Sequence, residues 1–484
     1  MLEIPSSLRS MQGPIPSPNR APAPTLPRPT ARPRTAASPA TEGLTTGWRP
    51  LHVEGRLPRG LVGTDYRSGP ASFQRLGATI HHPFEAEGHT SATRFLGDGR
   101  AMGALRDVDG DFFLAEDAAE SLLTQSAAPL GWRLLHGMLG VAKNTGNTAP
   151  FRIGDRLLTL HDAALPLEID PETLAVKGEV DFGVLRRAFT AHPQRSAKHG
   201  ATFGFGQVWF PKPRLDLVVF PDHGAPRTFG SVELPWRAMV HDFRVTDRHA
   251  VFVVGPAVLK LQNAILQHGD FHTWFDWKPN LGATLLVVDL ADPRRVTRAE
   301  VDAFWAWHLL NAWDDGGTVR VEVCRYDDAA NLRKMATGEP MDPPYVSSFA
   351  VDLATGRATE TPNRAQRMEF AGVHPSVLGR RHRHAWGHFT SLERREGVAA
   401  FDHDNGAYDV WLAERGATVS EPVVVPKPNG DERDVWLLAR TWSPRRQLSC
   451  TVVLDGAAVS DGPLARVWYG RMMPQTYHGT FLAA

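Results

Sequence analysis

The sequence predicts an all-β protein, and a β-propeller is the most economical architecture for it. Short runs of β-branched, aromatic and leucine residues recur from about residue 46 to the end, each bounded by Gly, Pro, Asn or Asp. Few stretches have helical character. Residues 46–484 are too many for one β-sandwich, whereas a propeller accommodates many short strands in one domain. No sequence repeat sets the number of blades.

The predicted elements follow from local composition. The clearest strand patterns are Arg156–Leu160, Gln207–Phe210, Leu215–Phe220, His249–Val253, Ala283–Asp289, Thr318–Val323 and Leu448–Leu454. The helical candidates are Ala118–Leu123, Leu130–Val141 and Val258–Gln267. The apolar Leu130–Val141 stretch has three interpretations: a packed core helix, part of the dome, or a lip that touches a membrane. Its composition favours the core helix.

Residues 1–45 are predicted to be a disordered, proline-rich tail. The first forty residues hold ten of the 38 prolines, with five arginines and one acid. Such composition supplies few apolar side chains for a core and few backbone donors for secondary structure. The propeller domain is therefore expected to occupy residues 46–484.

Overall composition narrows the partners and the compartment. The 53 basic residues balance the 53 acidic ones, so charge gives no reason to expect a nucleic-acid partner. The two cysteines, Cys324 and Cys450, make neither a disulfide framework nor a thiolate metal site. No apolar run is long enough to cross a membrane, and the N-terminus has no apolar signal region. A cytoplasmic protein is expected.

Four of the 20 histidines stand out by their surroundings: His192, His241, His308 and His478. They are separated by 49, 67 and 170 residues, which correspond to one, one and two to three blades of a propeller. The inner strands of a propeller surround a central axis, so such histidines can converge on one metal there. By spacing alone, a histidine at a strand end is more often a structural or surface residue than a metal ligand. An imidazole set alone also leaves zinc, copper and iron open.

The segments around these histidines resemble those of the carotenoid cleavage oxygenases, a family that includes stilbene-cleaving oxygenases and the retinal-pigment-epithelium isomerase. The matching segments are LPRGLVGTDYRSGP from Leu57, AHP around His192, MVHDF around His241, HLLNAWDD from His308, MEF from Met368, EPVVVP from Glu421 and YHGTF from Tyr477. The resemblance implies a seven-bladed β-propeller with a dome of helices and loops over its top face. It also implies Fe(II) on the axis, held by His192, His241, His308 and His478.

The family places glutamates behind its histidine ligands. On this chain the resemblance assigns that role to Glu369 in MEF and to Glu432, the latter if the following Trp436-Leu437-Leu438 sets the register. The third position is Asp162, where the family usually has glutamate. Aspartate is one methylene shorter, which leaves three alternatives: contact through a water, contact through a shifted strand, or no contact with the histidine. Asp314 and Asp315 are expected to cap a turn.

The implied activity is oxidative cleavage of a C=C bond in a hydrophobic polyene by a non-haem Fe(II) dioxygenase, with O₂ as co-substrate and two carbonyl products. A carotenoid or apocarotenoid is the expected substrate, and peripheral membrane contact would serve its uptake. Stilbene-cleaving members hold the phenol with an N-terminal tyrosine and lysine; here the first lysine is Lys143, and no tyrosine lies between Tyr66 and Tyr326. The alternatives are a stilbene-cleaving dioxygenase, a non-catalytic propeller and an O₂-independent isomerohydrolase.

We expect deletion of residues 1–40 to leave the melting temperature and the activity unchanged, because a tail with few apolar side chains adds little to a core. Differential scanning fluorimetry and a cleavage assay on the full-length and truncated proteins test this. A large fall in melting temperature after truncation would show that the tail packs against the propeller.

Overall fold

The computed structural model describes residues 47–139 and 141–484, so the predicted tail, residues 1–45, lies outside the described residues. Within the described residues, seven antiparallel sheets of four to six strands form the blades of a seven-bladed β-propeller. Two short two-stranded ribbons accompany them, Gln74–Arg75 with Ala78–Thr79 and Ala257–Leu259 with Phe275–Trp277. The prediction of an all-β propeller is confirmed.

The blades are numbered here in chain order. Blade 1 comprises Arg49–Pro50, Val62–Ser72, Glu87–Leu96, Ala101–Asp107 and Gly479–Ala483; blade 2, Ala149–Ile153, Arg156–Leu160, Leu167–Ile169 and Val176–Glu179; blade 3, Gln194–Ser196, Ala201–Val208, Arg214–Pro221 and Arg227–Glu233; blade 4, Phe243–Val245, His249–Val254, Ala283–Asp289 and Val296–Val301. Blade 5 comprises Trp305–Asp315, Thr318–Tyr326, Tyr345–Asp352 and Ala358–Asn363; blade 6, Glu369–Gly372, His384–Thr390, Glu396–Asp402 and Tyr408–Leu412; blade 7, His52–Gly55, Thr418–Val419, Val423–Pro426, Val435–Ser443, Leu448–Asp455 and Ala465–Trp468.

The two ends of the described chain close the ring together. The C-terminal strand Gly479–Ala483 pairs with Val62–Ser72 in blade 1, and the N-terminal strand His52–Gly55 pairs with Ala465–Trp468 in blade 7. Blades 1 and 7 therefore each combine sequence from both ends of the domain. Because Gly479–Ala483 is paired in the sheet of blade 1, the position of the preceding residue, residue 478, is fixed as well.

Packing between blades explains the near-continuous apolar runs. Phe205 of blade 3 lies edge-on to Phe243 of blade 4, with ring centroids 5.3 Å apart, and Phe243 stacks on Phe252 at 5.2 Å. In Ala283–Asp289 every residue except the last is buried. Middle strands covered by blades on both sides lose the alternation of a half-exposed sheet, so their sequences are continuous hydrophobic runs.

Most predicted strands lie inside observed ones. The strand predicted over Gln207–Phe210 ends at Val208.

Four helices and a short 3₁₀ segment lie outside the blades: α1, Asp111–Ala119; α2, Leu130–Leu139; α3, Leu261–Leu266; α4, Ala330–Thr337; and the 3₁₀ turn Phe271–Trp274. The segments α2, α3, Phe271–Trp274 and α4 contact one another in series and form the dome. Other 3₁₀ turns are Pro279–Leu281, Pro375–Val377 and Val459–Asp461. The candidate at Ala118–Leu123 is displaced, since α1 ends at Ala119, and α4 was not predicted.

The interpretation of Leu130–Val141 as a core helix is wrong. No residue of α2 is buried, and Met138 is 81% exposed. The helix rests on α3 through Gly137, where a Cβ atom would lie 1.7 Å from the Ile265 carbonyl oxygen. Glycine permits this close approach, and the apolar side chains remain outside. In the described part of the chain, no helix has the length and apolar character needed to cross a bilayer.

Candidate metal centre

The structure brings the four predicted histidines together on the propeller axis. Each lies at or just before the inner strand of a blade: His478 before Gly479–Ala483 of blade 1, His192 before Gln194–Ser196 of blade 3, His241 before Phe243–Val245 of blade 4, and His308 inside Trp305–Asp315 of blade 5. The strand of His308 changes register on both sides of Leu309, which marks a local bulge. Bulges redirect side chains and are common beside functional sites.

The four side chains meet through one nitrogen each. Their ligand-capable atoms all lie within 4.8 Å of one another. His192 Nε2 is 3.0 Å from His241 Nε2, and His308 Nε2 is 3.2 Å from His478 Nε2. The arrangement therefore presents four imidazoles to one point.

Asp162 holds two of the ligand-bearing segments. Its Oδ2 accepts a hydrogen bond from His241 Nδ1 at 2.6 Å, and its Oδ1 accepts one from the Ala191 backbone N–H, next to His192, at 2.6 Å. Burial lowers the pKa of His241, but the nearby carboxylates, Asp162 foremost with Asp242 and Glu369, raise it, and the net pKa lies above the ordinary value. The shorter aspartate thus contacts its histidine directly, without the water or strand shift that its length suggested.

Glu369 holds the third histidine. Its Oε2 accepts hydrogen bonds from His308 Nδ1 and from the Phe370 backbone N–H, both at 2.5 Å. Burial raises the pKa of Glu369 to about 7. Phe370 also packs on the cluster, with its ring centroid 4.8 Å from that of His308 and 5.2 Å from that of His478.

The acid behind His478 is Glu421, and the assignment of this role to Glu432 is wrong. Glu421 Oε1 accepts a hydrogen bond from His478 Nδ1 at 3.1 Å, and its Oε2 accepts one from the Gly479 N–H at 2.7 Å. Glu432 instead accepts the backbone N–H groups of Arg383 and His384, both at 2.6 Å. The sequence contained a pattern that identifies Glu421. This residue begins the EPVVVP segment just before an inner strand, as His192, His241 and His478 stand just before theirs.

The three acids fix the tautomers of three histidines. In its ionised form each acid can only accept, which places the proton on Nδ1 of His241, His308 and His478 and turns the Nε2 lone pair toward the axis. No side-chain acid contacts His192 among the described residues. Burial, and then the other three histidines, hold its pKa well below the ordinary value. This favours neutral His192, and neutral imidazole is the form that binds metals.

Every blade contributes one side chain to this centre. Blades 1, 3, 4 and 5 supply histidines, and the acids come from blades 2, 6 and 7. Buried Asp242 joins two ligand segments, since it follows His241 and its Oδ2 accepts the backbone N–H of Leu309 at 2.8 Å. The centre is thus tied to the whole ring.

An aromatic shell lies between the histidines and the dome. Trp307 is edge-on to His241, with ring centroids 5.1 Å apart, and Phe84 contacts Trp307 at 5.5 Å and Tyr477 at 5.6 Å. The same cluster includes Trp305 and Met239, with Phe271 and Phe275 packed against it. The Tyr477 hydroxyl is buried and has no hydrogen-bond partner in the described residues.

Two other acidic features have structural roles. Lys143 is buried and forms ion pairs with Glu87 and Glu116. Asp314, expected to cap a turn, instead accepts hydrogen bonds from His249 Nδ1 at 2.5 Å and from the Thr246 hydroxyl at 2.9 Å, so it links blades 4 and 5. Asp315 pairs with Arg320 across the hairpin of blade 5.

We expect Glu421→Ala to weaken the binding of a divalent metal at the four histidines by about 10–100-fold, because loss of an outer partner of a ligating histidine typically has that cost. Glu432→Ala is the matched control and should leave the affinity unchanged. Competition with a chelator of known affinity measures both. Equal affinities for the two variants would place Glu421 outside the centre.

Comparison with known proteins assigns the chain to a family. The family model described as "Retinal pigment epithelial membrane protein" matches residues 37–483. The chain is 24% identical over 453 residues to the apocarotenoid-15,15'-oxygenase of Synechocystis, covering 89% of this chain and 92% of that protein. It is 26% identical over 490 residues to the lignostilbene-alpha,beta-dioxygenase isozyme III of Sphingomonas paucimobilis (92% and 98%) and 24% identical over 465 residues to the isoeugenol monooxygenase of Pseudomonas nitroreducens (89% and 94%).

The fold agrees with solved structures. A variant of the Synechocystis apocarotenoid oxygenase superposes with a TM-score of 0.81 at 23% identity, covering 90% of this chain and 96% of that one. The cobalt-substituted form of the same oxygenase gives a TM-score of 0.79 at 24% identity, with the same coverage. The chain belongs to the retinal pigment epithelial membrane protein family, which is that of the carotenoid cleavage oxygenases, and it is an oxidoreductase of that family.

Proposed function

We propose that the protein is a non-haem Fe(II) dioxygenase that cleaves a C=C bond of a carotenoid or apocarotenoid with O₂. One observation carries the proposal: imidazole nitrogen atoms from four blades lie within 4.8 Å of one another on the propeller axis. Four lone pairs so close together repel unless a cation lies between them, and imidazole nitrogen is a good ligand for iron. The residues therefore fit the metal that the family implies.

Iron held by four neutral imidazoles would keep its full positive charge and open coordination positions for O₂ chemistry. The protein supplies the rest. Asp162, Glu369 and Glu421 would keep Nδ1 protonated on three ligands. Additional hydrogen bonds of Asp162 and Glu421 to the backbone N–H groups of Ala191 and Gly479 hold the segments of His192 and His478 in place. Because those acids bind backbone as well as imidazole, the positions of the ligands are set before a metal arrives.

The aromatic shell supports an apolar, planar substrate. Phe84, Trp307 and Phe370 lie against the histidines and present ring surface rather than charge. A polyene held by such surfaces gains roughly 25 cal/mol per Å² of apolar area removed from water, with no need for a polar partner. The same aromatic side chains would exclude water from the C=C bond to be cleaved.

The contacts of Lys143 favour a carotenoid over a hydroxystilbene. A lysine that recognises a phenolate must keep its ammonium group free for the ligand. Lys143 is instead engaged by two buried carboxylates, those of Glu87 and Glu116. Among the described residues before Lys143 the only tyrosine is Tyr66, whose hydroxyl donates to the Pro171 carbonyl at 3.2 Å. The N-terminal blades thus offer no lysine and tyrosine pair for a phenol.

One observation favours a phenolic alkene as the second candidate. The buried Tyr477 hydroxyl lacks a partner, and a buried hydroxyl without a hydrogen bond is costly. A substrate hydroxyl beside Phe84 and Trp307 would satisfy it. Relatives that act on lignostilbenes and on isoeugenol show that such compounds are used within the family.

We expect the iron-loaded protein to convert apocarotenals or carotenoids into two carbonyl products that each carry one atom of ¹⁸O₂, and to be inactive without O₂. Mass spectrometry of products from a panel of apocarotenals, carotenoids and hydroxystilbenes provides the measurement. Tyr477→Phe should leave turnover of apocarotenals within about twofold, because a polyene makes no hydrogen bond there.

Different results would select the other candidates. Turnover of hydroxystilbenes alone, with at least about a tenfold loss in Tyr477→Phe, would establish the phenolic substrate and contradict the carotenoid. Product formation without O₂ would indicate an isomerohydrolase. Absence of turnover of all substrates by a protein with full iron would favour a non-catalytic propeller.

We further propose that α2 contacts a membrane from which the substrate is taken up. Its exposed apolar residues form one patch: Leu130 at 61%, Met138 at 81% and Leu139 at 57%, with Leu134, Leu135 and Trp132 beside them. Neighbouring exposed apolar side chains on one helix of the dome indicate an interaction surface. An amphipathic helix can lie in the bilayer interface without crossing the membrane.

We expect the double variant Leu135→Glu, Met138→Glu to lose binding to phosphatidylcholine vesicles while keeping its melting temperature, since both side chains are already exposed. Leu392→Glu is the control, because Leu392 is 78% exposed in a loop of blade 6 far along the chain from α2. Vesicle co-sedimentation measures the effect. Equal co-sedimentation of both variants and the unmodified protein would contradict a role for α2.

A further inference from the structure

A second group of metal-ligand side chains lies between blades 5 and 6. Glu322 belongs to the strand Thr318–Tyr326, while His382 and His403 flank the paired strands His384–Thr390 and Glu396–Asp402. Each offers a ligand atom, and these atoms lie within 4.8 Å of one another. We propose that Glu322, His382 and His403 form a second metal site, for zinc, that joins the two blades.

The group is separate from the four histidines on the axis. His382 contacts Asn311, which follows His308 by three residues in Trp305–Asp315. At about 3.3 Å per residue, three residues of strand correspond to about 10 Å. Trp305 and Trp307, which face the dome, lie on the other side of His308 in that strand, so the second group is toward the face opposite the dome.

Its atoms are buried and unsatisfied. Glu322 is 5% exposed and His382 is 6% exposed. Glu322 Oε2, His382 Nε2 and His403 Nε2 have no hydrogen-bond partner among the described residues. The first two lie 3.3 Å apart, and His403 Nδ1 lies 3.6 Å from Glu322 Oε1. Buried polar atoms are nearly always satisfied, yet Glu322 Oε2 and His382 Nε2 face each other without a hydrogen bond of good geometry, and each imidazole keeps a nitrogen without a protein partner. A cation held by one ligand atom of each residue would supply the missing partner.

The surroundings hold the side chains in position. The His382 ring is edge-on to Trp313 at 5.5 Å and to His403 at 4.6 Å, and Phe401 packs on His403 at 4.8 Å. The His403 backbone N–H donates to the Arg383 carbonyl at 2.8 Å, which fixes its distance from His382. These contacts limit the rotamers of both imidazoles before metal binds.

The donor set matches zinc and excludes calcium and magnesium. Two imidazole nitrogens and one carboxylate oxygen make a three-residue zinc site with a fourth position for water, whereas calcium and magnesium prefer oxygen ligands throughout. The carboxylate comes from blade 5 and both imidazoles from blade 6. A bound ion would therefore crosslink neighbouring blades and stabilise the folded ring.

The test compares zinc binding by the chelator-treated, tag-free full-length protein with that of Glu322→Gln. We expect the unmodified protein to bind one more equivalent of zinc than Glu322→Gln in equilibrium dialysis with metal analysis. Zinc should also raise the melting temperature of the unmodified protein more than that of the variant. His268→Gln is the control for a histidine in neither cluster and should bind as much zinc as the unmodified protein.

The difference between the proteins isolates this site, because zinc bound at the axial histidines is common to all of them. If circular dichroism shows that Glu322→Gln is misfolded, His403→Gln replaces it, since the His403 side chain is already 22% exposed. Equal zinc content in the unmodified protein and the folded variant would overturn the proposal. Iron content at the axis and cleavage activity should be unchanged in either variant, so failure here leaves the proposed oxygenase function intact.

Discussion

The structure depends on the convergence of four imidazole lone pairs on the axis of a closed ring. Four lone pairs placed so close together repel one another in a protein without a cation. The acids behind the histidines hold three of the imidazoles in this orientation. Asp162, Glu369 and Glu421 each bind one imidazole, and Asp162 and Glu421 also bind a backbone N–H next to a histidine, those of Ala191 and Gly479. The same carboxylate thus sets both the chemistry of a ligand and the path of the chain that carries it.

Ring closure and the site are coupled through blades 1 and 7. His478 directly precedes the closing strand Gly479–Ala483, and Glu421 directly precedes Val423–Pro426 of blade 7. Fully buried Arg67 of blade 1 donates to the Glu421 carbonyl at 2.8 Å and to the Leu438 carbonyl at 2.6 Å, both in blade 7. Asp65 balances its charge at 2.9 Å. A ring that failed to close would lose one histidine and its acid together.

Much of this centre could be predicted from sequence, because the segments around the histidines carry specific motifs and each histidine adjoins an inner strand. Glu432 was misplaced for a physical reason. Val423–Pro426 and Val435–Ser443 pair with Val423 opposite Leu438 and Pro426 opposite Val435, so Glu432 lies in the turn and Glu421 at the far end of the ribbon, beside His478. An alignment based on Trp436, Leu437 and Leu438 cannot show which end of the paired strands lies beside His478.

Other features depend on tertiary contacts that leave little local signal. The composition of α2 is that of a core helix, yet its neighbour α3 covers only the face around Gly137. The group of Glu322, His382 and His403 draws on three segments of blades 5 and 6, and none of its members stands in a metal-binding motif. Such sites become visible only when the blades are placed side by side.

X-ray absorption spectroscopy at the iron edge of the Fe(II)-loaded protein tests the central claim most directly. The account predicts one iron per chain, coordinated by four imidazole nitrogens, with the imidazole scattering pattern reduced and most of the iron lost in His241→Ala. Iron bound chiefly through oxygen or sulfur, or full iron occupancy in His241→Ala, would contradict it.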